Sequence, residues 1–209
     1  MTKIIAEIGW NHMGSLSLAK KMIFQAKKNG ADIVKTQIFD VQNLKDGPWD
    51  KDGRREIYKK AQLNENKYKE LFKYAKKINC KFFASAMSIK DAELIKRVNN
   101  DLIKIPSMES RNFPLISYCA KNFKNVIISS GTSKFNEIVK SCKKIPKKKL
   151  TVLHCVSSYP CNFSDVNLPK IDLFKKFFNN VGFSDHTVGI EASILSLKYN
   201  PIYIEKHFT

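Results

Sequence analysis

Short apolar segments alternate with segments of helical period along the whole chain. Apolar residues that recur every three or four positions predict amphipathic helices, and in the first such segment Ala19, Met22, Ile23 and Ala26 share one face. Short runs rich in β-branched and aromatic residues predict buried strands. The strands are predicted at 4–9, 33–39, 81–87, 102–107, 126–131, 150–157, 181–187 and 202–209. The helices are predicted at 16–29, 65–79, 90–98, 113–122, 134–142, 168–178 and 189–199.

The eight predicted strands and seven predicted helices alternate without a Ser- or Pro-rich linker, so residues 1–209 are treated as one domain. This alternation is typical of a (β/α)8 (TIM) barrel that ends after strand eight without the final helix. A doubly wound sheet shows the same alternation and is the alternative fold. The barrel is favoured because nearly every strand ends in polar residues, whereas a doubly wound sheet concentrates them at one switch point.

Composition narrows the class of protein. The hydrophobic share of 43% and the charged share of 27% are those of a globular domain. No apolar run approaches the length of a membrane span and the N-terminus shows no secretory signal, so we expect a cytoplasmic protein with no membrane partner. Five scattered cysteines without a CxxC spacing indicate reduced thiols, and Cys155 and Cys161 are interpreted as small buried residues.

The formal net charge of +18 is the strongest feature of the composition. Only four of the 37 basic residues are Arg, although Arg is the residue that nucleic-acid readers use for bidentate contacts. The Lys residues occur in pairs along the predicted helices, which favours a solvated surface and no nucleic-acid partner. The same positive field would also attract a small anionic substrate.

Two histidines end neighbouring strands of the predicted barrel. His186 and His207 would converge at the rim, where a pair of neutral imidazoles suits a divalent transition metal with open positions for water and substrate. The alternative is that both rings make only structural hydrogen bonds. Glu205 has the same strand parity as His207, and Glu7 on the first strand is the nearest further carboxylate.

Two lysines lie within apolar strands. Lys35 and Lys104 must each pair with an anion or shift in pKa, because a buried unpaired ammonium is costly. They could hold a substrate phosphate and carboxylate, form a Schiff base, or make a salt bridge to a carboxylate such as Glu7. The accompanying hydroxyl groups favour the anion cradle. They are Ser85, Ser107, Ser129, Ser130 and Ser184.

Seven motifs together resemble the sialic acid synthase family, the phosphoenolpyruvate-dependent synthases of N-acetylneuraminate and of its legionaminate and pseudaminate relatives. The resemblance extends over the whole chain, and the combination of SDHT and EKHFT with the opening AEIGWNHMG is highly specific. The motifs are AEIGWNHMG at 6–14, ADIVKTQ at 31–37, KIPSME at 104–109, IISSGT at 127–132, HCVSSYP at 154–160, GFSDHTVG at 182–189 and IEKHFT at 204–209.

The resemblance implies a barrel enzyme that condenses phosphoenolpyruvate with the open-chain aldehyde of an N-acyl hexosamine, such as N-acetylmannosamine, and releases phosphate. It implies His186 and His207 as ligands of a divalent metal, with Mn²⁺ expected before Mg²⁺ or Co²⁺. Glu7 matches the acidic residue beside the metal and the sugar. The positions that match the phosphoenolpyruvate site are Lys35, Ser85, Lys104, Ser107, Ser129 and Ser184. The remaining substrate contacts are Gln37 and Tyr159 on the sugar side and Ser157, where some members have Asn.

Members of this family continue past the KHFT motif with an eighth helix and a C-terminal antifreeze-like domain that reaches into the partner subunit's active site. We therefore expect a barrel domain alone here, weakly active by itself and homodimeric when the second domain is present. One alternative is a non-catalytic barrel fragment that binds acidic sugars or a partner subunit. The others are a Schiff-base aldolase that uses Lys35 or Lys104 and a basic nucleic-acid binder.

Overall fold

The computed structural model describes residues 1–44 and 46–208, and within them eight parallel strands form a closed barrel. Each strand pairs with the next in sequence, and β8 pairs with β1. The predicted barrel is therefore confirmed over the doubly wound alternative. The strands are β1 (Lys3–Gly9), β2 (Ile33–Ile38), β3 (Lys81–Ala86), β4 (Leu102–Ile105), β5 (Asn125–Ser129), β6 (Leu150–Cys155), β7 (Val181–Asp185) and β8 (Tyr203–His207).

The helices surround the barrel as the sequence pattern predicts, with one addition. The segment that follows β2, where no helix is predicted, contains a short helix at Arg54–Ala61 (α2), whose only buried residue is Ala61. Its weak apolar pattern explains why periodicity does not reveal it. The helices are α1 (Leu16–Lys28), α2 (Arg54–Ala61), α3 (Glu65–Lys77), α4 (Ile89–Val98), α5 (Phe113–Asn122), α6 (Phe135–Cys142), α7 (Lys170–Lys175) and α8 (Glu191–Ser196).

The sequence of α1 explains where this helix begins and which of its faces is buried. The Ser15 side chain accepts a hydrogen bond from the Leu18 backbone N–H and caps α1, since Ser side chains satisfy the free N–H groups of a helix start. The predicted apolar face of α1 is buried against the barrel.

The last described element is β8. No helix in the described part of the chain combines the length and apolar character that crossing a bilayer requires.

Strand alternation divides the side chains between the helix layer and the barrel lumen. A buried apolar layer fills the lower lumen, formed by Ile5, Ile33, Phe83, Ile127 and Leu153. Two residues further along their strands, toward the C-terminal mouth, the lumen becomes polar. Each strand contributes one buried residue to this upper layer, and these are Glu7, Lys35, Ser85, Lys104, Ser129, Cys155, Ser184 and Glu205. The fold therefore places its buried polar groups where barrel enzymes have their active sites.

Candidate active site

Four charged side chains form the centre of the upper lumen. Glu7 and Lys35 are register partners on β1 and β2 and make an ion pair. Lys104 pairs with Glu205, and Lys35 Nζ lies 3.8 Å from Glu205 Oε2. Each of the four residues is no more than 5% exposed. The salt bridge that the sequence allowed for Lys35 is therefore present, and two ammonium groups and two carboxylates balance one another in charge.

Burial and the neighbouring charges shift the pKa values of Lys35 and Glu205 in this cluster. Burial lowers the pKa of Lys35, while the Glu205 carboxylate opposes that shift and the Lys104 ammonium adds to it. Burial would raise the pKa of Glu205, but the Lys104 and Lys35 ammonium groups hold it below its ordinary value. Glu205 is therefore an anion at neutral pH. Because a buried ammonium group is costly without a counterion, an anionic ligand entering the lumen would be attracted to both lysine side chains.

Two hydroxyl groups beside the lysines lack a partner. Ser85 Oγ and Ser129 Oγ are buried, and no group in the described chain hydrogen bonds to either. Ser184 differs because its hydroxyl donates to Glu205 Oε1 at 3.0 Å. Buried polar atoms are normally satisfied, so unpartnered hydroxyls that face a shared lumen indicate a place for ligand oxygens.

A further polar group surrounds Gly131, just after β5. The Gly131 N–H donates to Ser107 Oγ at 3.0 Å, and Ser107 Oγ lies 3.4 Å from Cys155 Sγ. A Cβ atom at position 131 would collide with Ser107 Oγ, Cys155 Sγ and Ser157 Oγ. The three side chains therefore converge on one point, and only glycine leaves room between them.

Cys155 is a lumen residue that the sequence interpretation missed. It is buried, as expected, but it lies inside the barrel and not in the helix layer, 4.0 Å from His186 Nδ1. Burial raises the pKa of the thiol, so it is uncharged at neutral pH. The sequence does contain a signal that Cys155 faces the lumen. Side chains alternate along a strand, and Cys155 follows the inward-facing Leu153 by two residues.

The two predicted histidines meet at the mouth of the barrel. The ring centroids of His186 and His207 lie 5.8 Å apart, and His207 is the register partner of Glu7. His186 Nδ1 donates to the Val156 carbonyl at 2.6 Å, which fixes the tautomer and leaves Nε2 as an acceptor. The Tyr159 hydroxyl donates to this Nε2 at 3.0 Å.

The imidazole pair fits a divalent metal. Burial is the main cause that lowers the pKa of both His186 and His207, so both rings are neutral at pH 7, as metal ligands must be. A backbone carbonyl on Nδ1 is also the usual second partner of a ligating imidazole. Within residues 1–44 and 46–208, no three His, Cys, Asp or Glu side chains are grouped to hold a metal. The residues that could hold such a metal are the two imidazoles.

Gln37 and Tyr159 both lie at the mouth. Gln37 is half-buried near the end of β2, and its Nε2 lies close to Gly9, whose N–H donates to Glu7 Oε1 at 2.6 Å. Tyr159 is 67% exposed, and its ring centroid lies 4.1 Å from that of His186. Their positions leave both side chains accessible to a second substrate that approaches from outside the barrel.

The other two histidines lie outside the site. His154 faces the helix layer, where its Nε2 donates to the Val166 carbonyl at 2.7 Å and its ring packs against Phe174. His12 is buried beside Thr36, and its Nδ1 accepts from the Gly14 N–H at 3.1 Å. Burial lowers the pKa of each ring to about 4. Both therefore act as neutral structural groups.

Comparison with known proteins identifies the family. Residues 22–209 match the NeuB family. The chain is 36% identical to the N,N'-diacetyllegionaminic acid synthase of Campylobacter jejuni over 100% of its own length and 67% of that protein. It is 35% identical to the pseudaminic acid synthase of Helicobacter pylori over 99% of its own length and 65% of that protein. The crystal structure of the N-acetylneuraminic acid synthetase of Leptospira borgpetersenii superposes with a TM-score of 0.91 at 33% identity, covering 100% of this chain and 73% of that one.

The fold and the polar lumen thus define a (β/α)8-barrel protein with its candidate active site at the C-terminal mouth. The chain belongs to the NeuB family, an enzyme family whose members compared above are named as acid synthases. It spans about two thirds of the length of these curated relatives.

Proposed function

We propose that this chain carries the site that condenses phosphoenolpyruvate with the aldehyde of an N-acyl hexosamine, giving a nonulosonic acid and phosphate. The observation that carries the proposal is the upper lumen, where the Lys35 and Lys104 ammonium groups face unpartnered hydroxyls beside the two imidazoles. The names of the relatives support it, because they are synthases of acids of this class.

The first substrate matches the charge of the lumen. Phosphoenolpyruvate carries a phosphate and a carboxylate, and the two ammonium groups can bind one anionic group each. Ser85 and Ser129 would donate to its oxygens and so satisfy the two free hydroxyls. Glu7 and Glu205 now hold the lysines, so binding requires the ammonium groups to be shared between these carboxylates and the substrate.

The reaction forms one C–C bond and a new C–O bond from water to C2, and it breaks the C–O bond that joins C2 to phosphate. C3 of the enol attacks the aldehyde carbon, and positive charge develops at C2. Water adds to C2, and the former aldehyde oxygen takes up a proton and becomes a hydroxyl. The C2 hydroxyl then loses its proton as the C2–O bond to phosphate breaks, leaving a ketone and hydrogen phosphate. Lys35 and Lys104 stabilise the anionic groups throughout, and Glu7, which lies between Lys35 and His207 in the strand register, accepts the proton.

His186 Nε2 and His207 would hold the metal, with Mn²⁺ expected before Mg²⁺ or Co²⁺. When bound, such a cation polarises the aldehyde oxygen and makes its carbon electrophilic. The Tyr159 hydroxyl must leave His186 Nε2 for this site to form, and it is then free to donate to a sugar hydroxyl. Gln37 would bind the same substrate from the β2 side of the mouth.

Turnover tests the proposal. The protein is incubated with phosphoenolpyruvate, Mn²⁺ and a panel of N-acyl hexosamines that includes N-acetylmannosamine, and phosphate is followed by ³¹P NMR. Phosphate is expected only when a sugar is present, and ¹⁸O placed in the bridging C–O–P position should appear in the phosphate. Lys104→Met should abolish release, whereas Lys124→Met at an exposed ion pair should not.

Three results would contradict the proposal. Phosphate release that does not depend on the sugar would indicate a phosphatase. Borohydride reduction with a carbonyl substrate that labels Lys35 or Lys104 would indicate the Schiff-base aldolase instead. Phosphoenolpyruvate binding without turnover would favour the non-catalytic barrel.

A further inference from the structure

One ion pair lies directly behind the two imidazoles, on the outer face of the barrel. Asp185 on β7 and Lys206 on β8 are register partners, and Asp185 Oδ2 accepts from Lys206 Nζ at 2.9 Å. Each of these residues immediately precedes a histidine in sequence. Because strand side chains alternate between faces, His186 and His207 point toward the lumen mouth while the ion pair points into the helix layer.

Asp185 is a fully satisfied, buried carboxylate. Its side chain has 0% relative exposure. Oδ1 accepts from the Thr187 backbone N–H at 2.9 Å and from the Thr187 hydroxyl at 2.8 Å. Oδ2 accepts from the Ser193 hydroxyl at 2.6 Å in addition to Lys206. One carboxylate therefore connects the end of β7, the residue after His186, helix α8 and strand β8.

The backbone on both sides of His186 is fixed by these contacts. Lys206 Nζ also donates to the Thr187 carbonyl at 2.9 Å, so both polar groups of the Thr187 backbone are held by the pair. The His186 carbonyl accepts from the Cys161 N–H at 2.9 Å. The direction of the His186 ring thus depends on a short run of backbone that Asp185 and Lys206 hold from behind.

We infer that Asp185 and Lys206 are positioning residues that set the spacing and direction of the His186 and His207 rings. The inference rests on the proposed function, in which these rings form the metal site. Neither residue reaches the lumen, so neither touches substrate or metal. A buried ion pair adds little stability over a well-packed apolar pair, so fixed hydrogen-bond geometry is the property that this pair supplies.

The test compares Asp185→Asn and Lys206→Met with the intact protein. The first readout is the ¹⁵N NMR spectrum of the histidine rings without metal or substrate, which reports the tautomer and the hydrogen bonding of each ring. The signals of His186 and His207 should shift, and those of His12 and His154 should not. The second readout is Mn²⁺ affinity measured by EPR without substrate, which should fall about 10- to 100-fold because partners behind a ligand orient it. Lys206→Arg, which keeps a cation at this position, should give the same histidine signals and the same Mn²⁺ affinity as the intact protein.

The matched control is a second ion pair between neighbouring strands. Asp101 and Lys124 lie just before β4 and β5, 2.7 Å apart and exposed at the opposite end of the barrel. Asp101→Asn and Lys124→Met should leave the histidine signals and the Mn²⁺ affinity unchanged. If Asp185→Asn does not fold, Lys206→Met, which keeps the carboxylate and its other donors, decides the question.

The inference is overturned if a folded variant keeps the His186 and His207 signals of the intact protein, or if all four histidines shift together, since that pattern marks general loosening. Failure of the proposed function is a different result. If the intact protein binds no Mn²⁺ but the two ring signals still move in the variants, the metal site is wrong and the positioning role stands.

Discussion

Lys104 on β4 reaches across the lumen to bind Glu205 on β8, a residue 101 positions further along the chain. Both side chains are buried, and Lys35 lies near the same carboxylate. This ion pair therefore exists only once the barrel has closed. Such pairs stabilise little when whole but are costly to break, because one buried charge then lacks its partner.

Removing one partner of the Lys104–Glu205 ion pair should lower the stability of the fold. Lys104→Met leaves Glu205 without its closest cation, and the free energy of unfolding in urea should fall by about 3–5 kcal/mol. The double variant Lys104→Met/Glu205→Gln should recover part of that loss, because the uncompensated charge is gone. Lys124→Met breaks an exposed pair and should cost less than about 1 kcal/mol. Equal losses for Lys104→Met and Lys124→Met would show that the lumen pair is not buried in solution.

A side chain at position 131 should block the anion site. In Gly131→Ala the new Cβ meets Ser107, Cys155 and Ser157, so phosphoenolpyruvate affinity should fall at least about 10-fold, as measured by calorimetry. Gly30→Ala is the control. Gly30 has a φ of +95° and open space around it, so alanine there should cost about 1 kcal/mol of stability and leave affinity unchanged. Normal affinity in Gly131→Ala would place the ligand elsewhere.

The Tyr159 hydroxyl should compete with the metal for His186. Tyr159→Phe keeps the ring against the imidazole but removes the donor to Nε2. A typical hydrogen bond contributes about 1 kcal/mol, so Mn²⁺ affinity should rise about five-fold in EPR titrations without substrate. A fall in affinity would indicate that the hydroxyl supports the metal site and does not occupy it.

Stability should decrease in mild acid, and His154 contributes to that decrease. Burial lowers its pKa from 6.5 to about 4, so the unfolded chain binds more protons between those values. The stabilising contribution is complete above about pH 6.5 and is lost as the pH falls toward 4, by about 3 kcal/mol. The free energy of unfolding is measured for His154→Gln and for the intact protein from pH 7 to pH 4. The difference between the two proteins should become smaller by this amount as the pH falls.

Phe123→Leu is the control for this pH effect. Phe123 is buried at the end of α5 and does not titrate, so its replacement should lower the stability equally at every pH. A gap between His154→Gln and the intact protein that stays constant with pH would show that His154 keeps its ordinary pKa in the folded state.

Strand parity explains how far the sequence predicts this site. Polar residues two positions beyond an inward apolar residue lie in the lumen, and this places Lys35 and Ser85 correctly from pattern alone. The same rule applies to Cys155, which was passed over because cysteine so often fills a core. It also separates His154, which points outward, from the histidines at the ends of β7 and β8.

Pairing across the closed barrel lies beyond local pattern. The spacing of residues in the sequence does not reveal that Lys104 pairs with Glu205. The two residues meet only because eight tilted strands close into a barrel. The extra helix α2 was missed because it buries a single residue. Thr209, the last residue of the predicted eighth strand, lies outside the described residues. The expected homodimer, the cytoplasmic location and the Mn²⁺ ion remain predictions.

Binding of phosphoenolpyruvate tests the central claim most directly, because it depends on the lumen and not on complete turnover. Isothermal titration of the protein with phosphoenolpyruvate should show one site per chain, with affinity reduced about 100-fold or more in Lys104→Met and unchanged in Lys124→Met, since a lost ion pair to an anion costs about 3 kcal/mol. Equal affinity in the intact protein and in both variants, or no binding at all, would contradict the anion site proposed here.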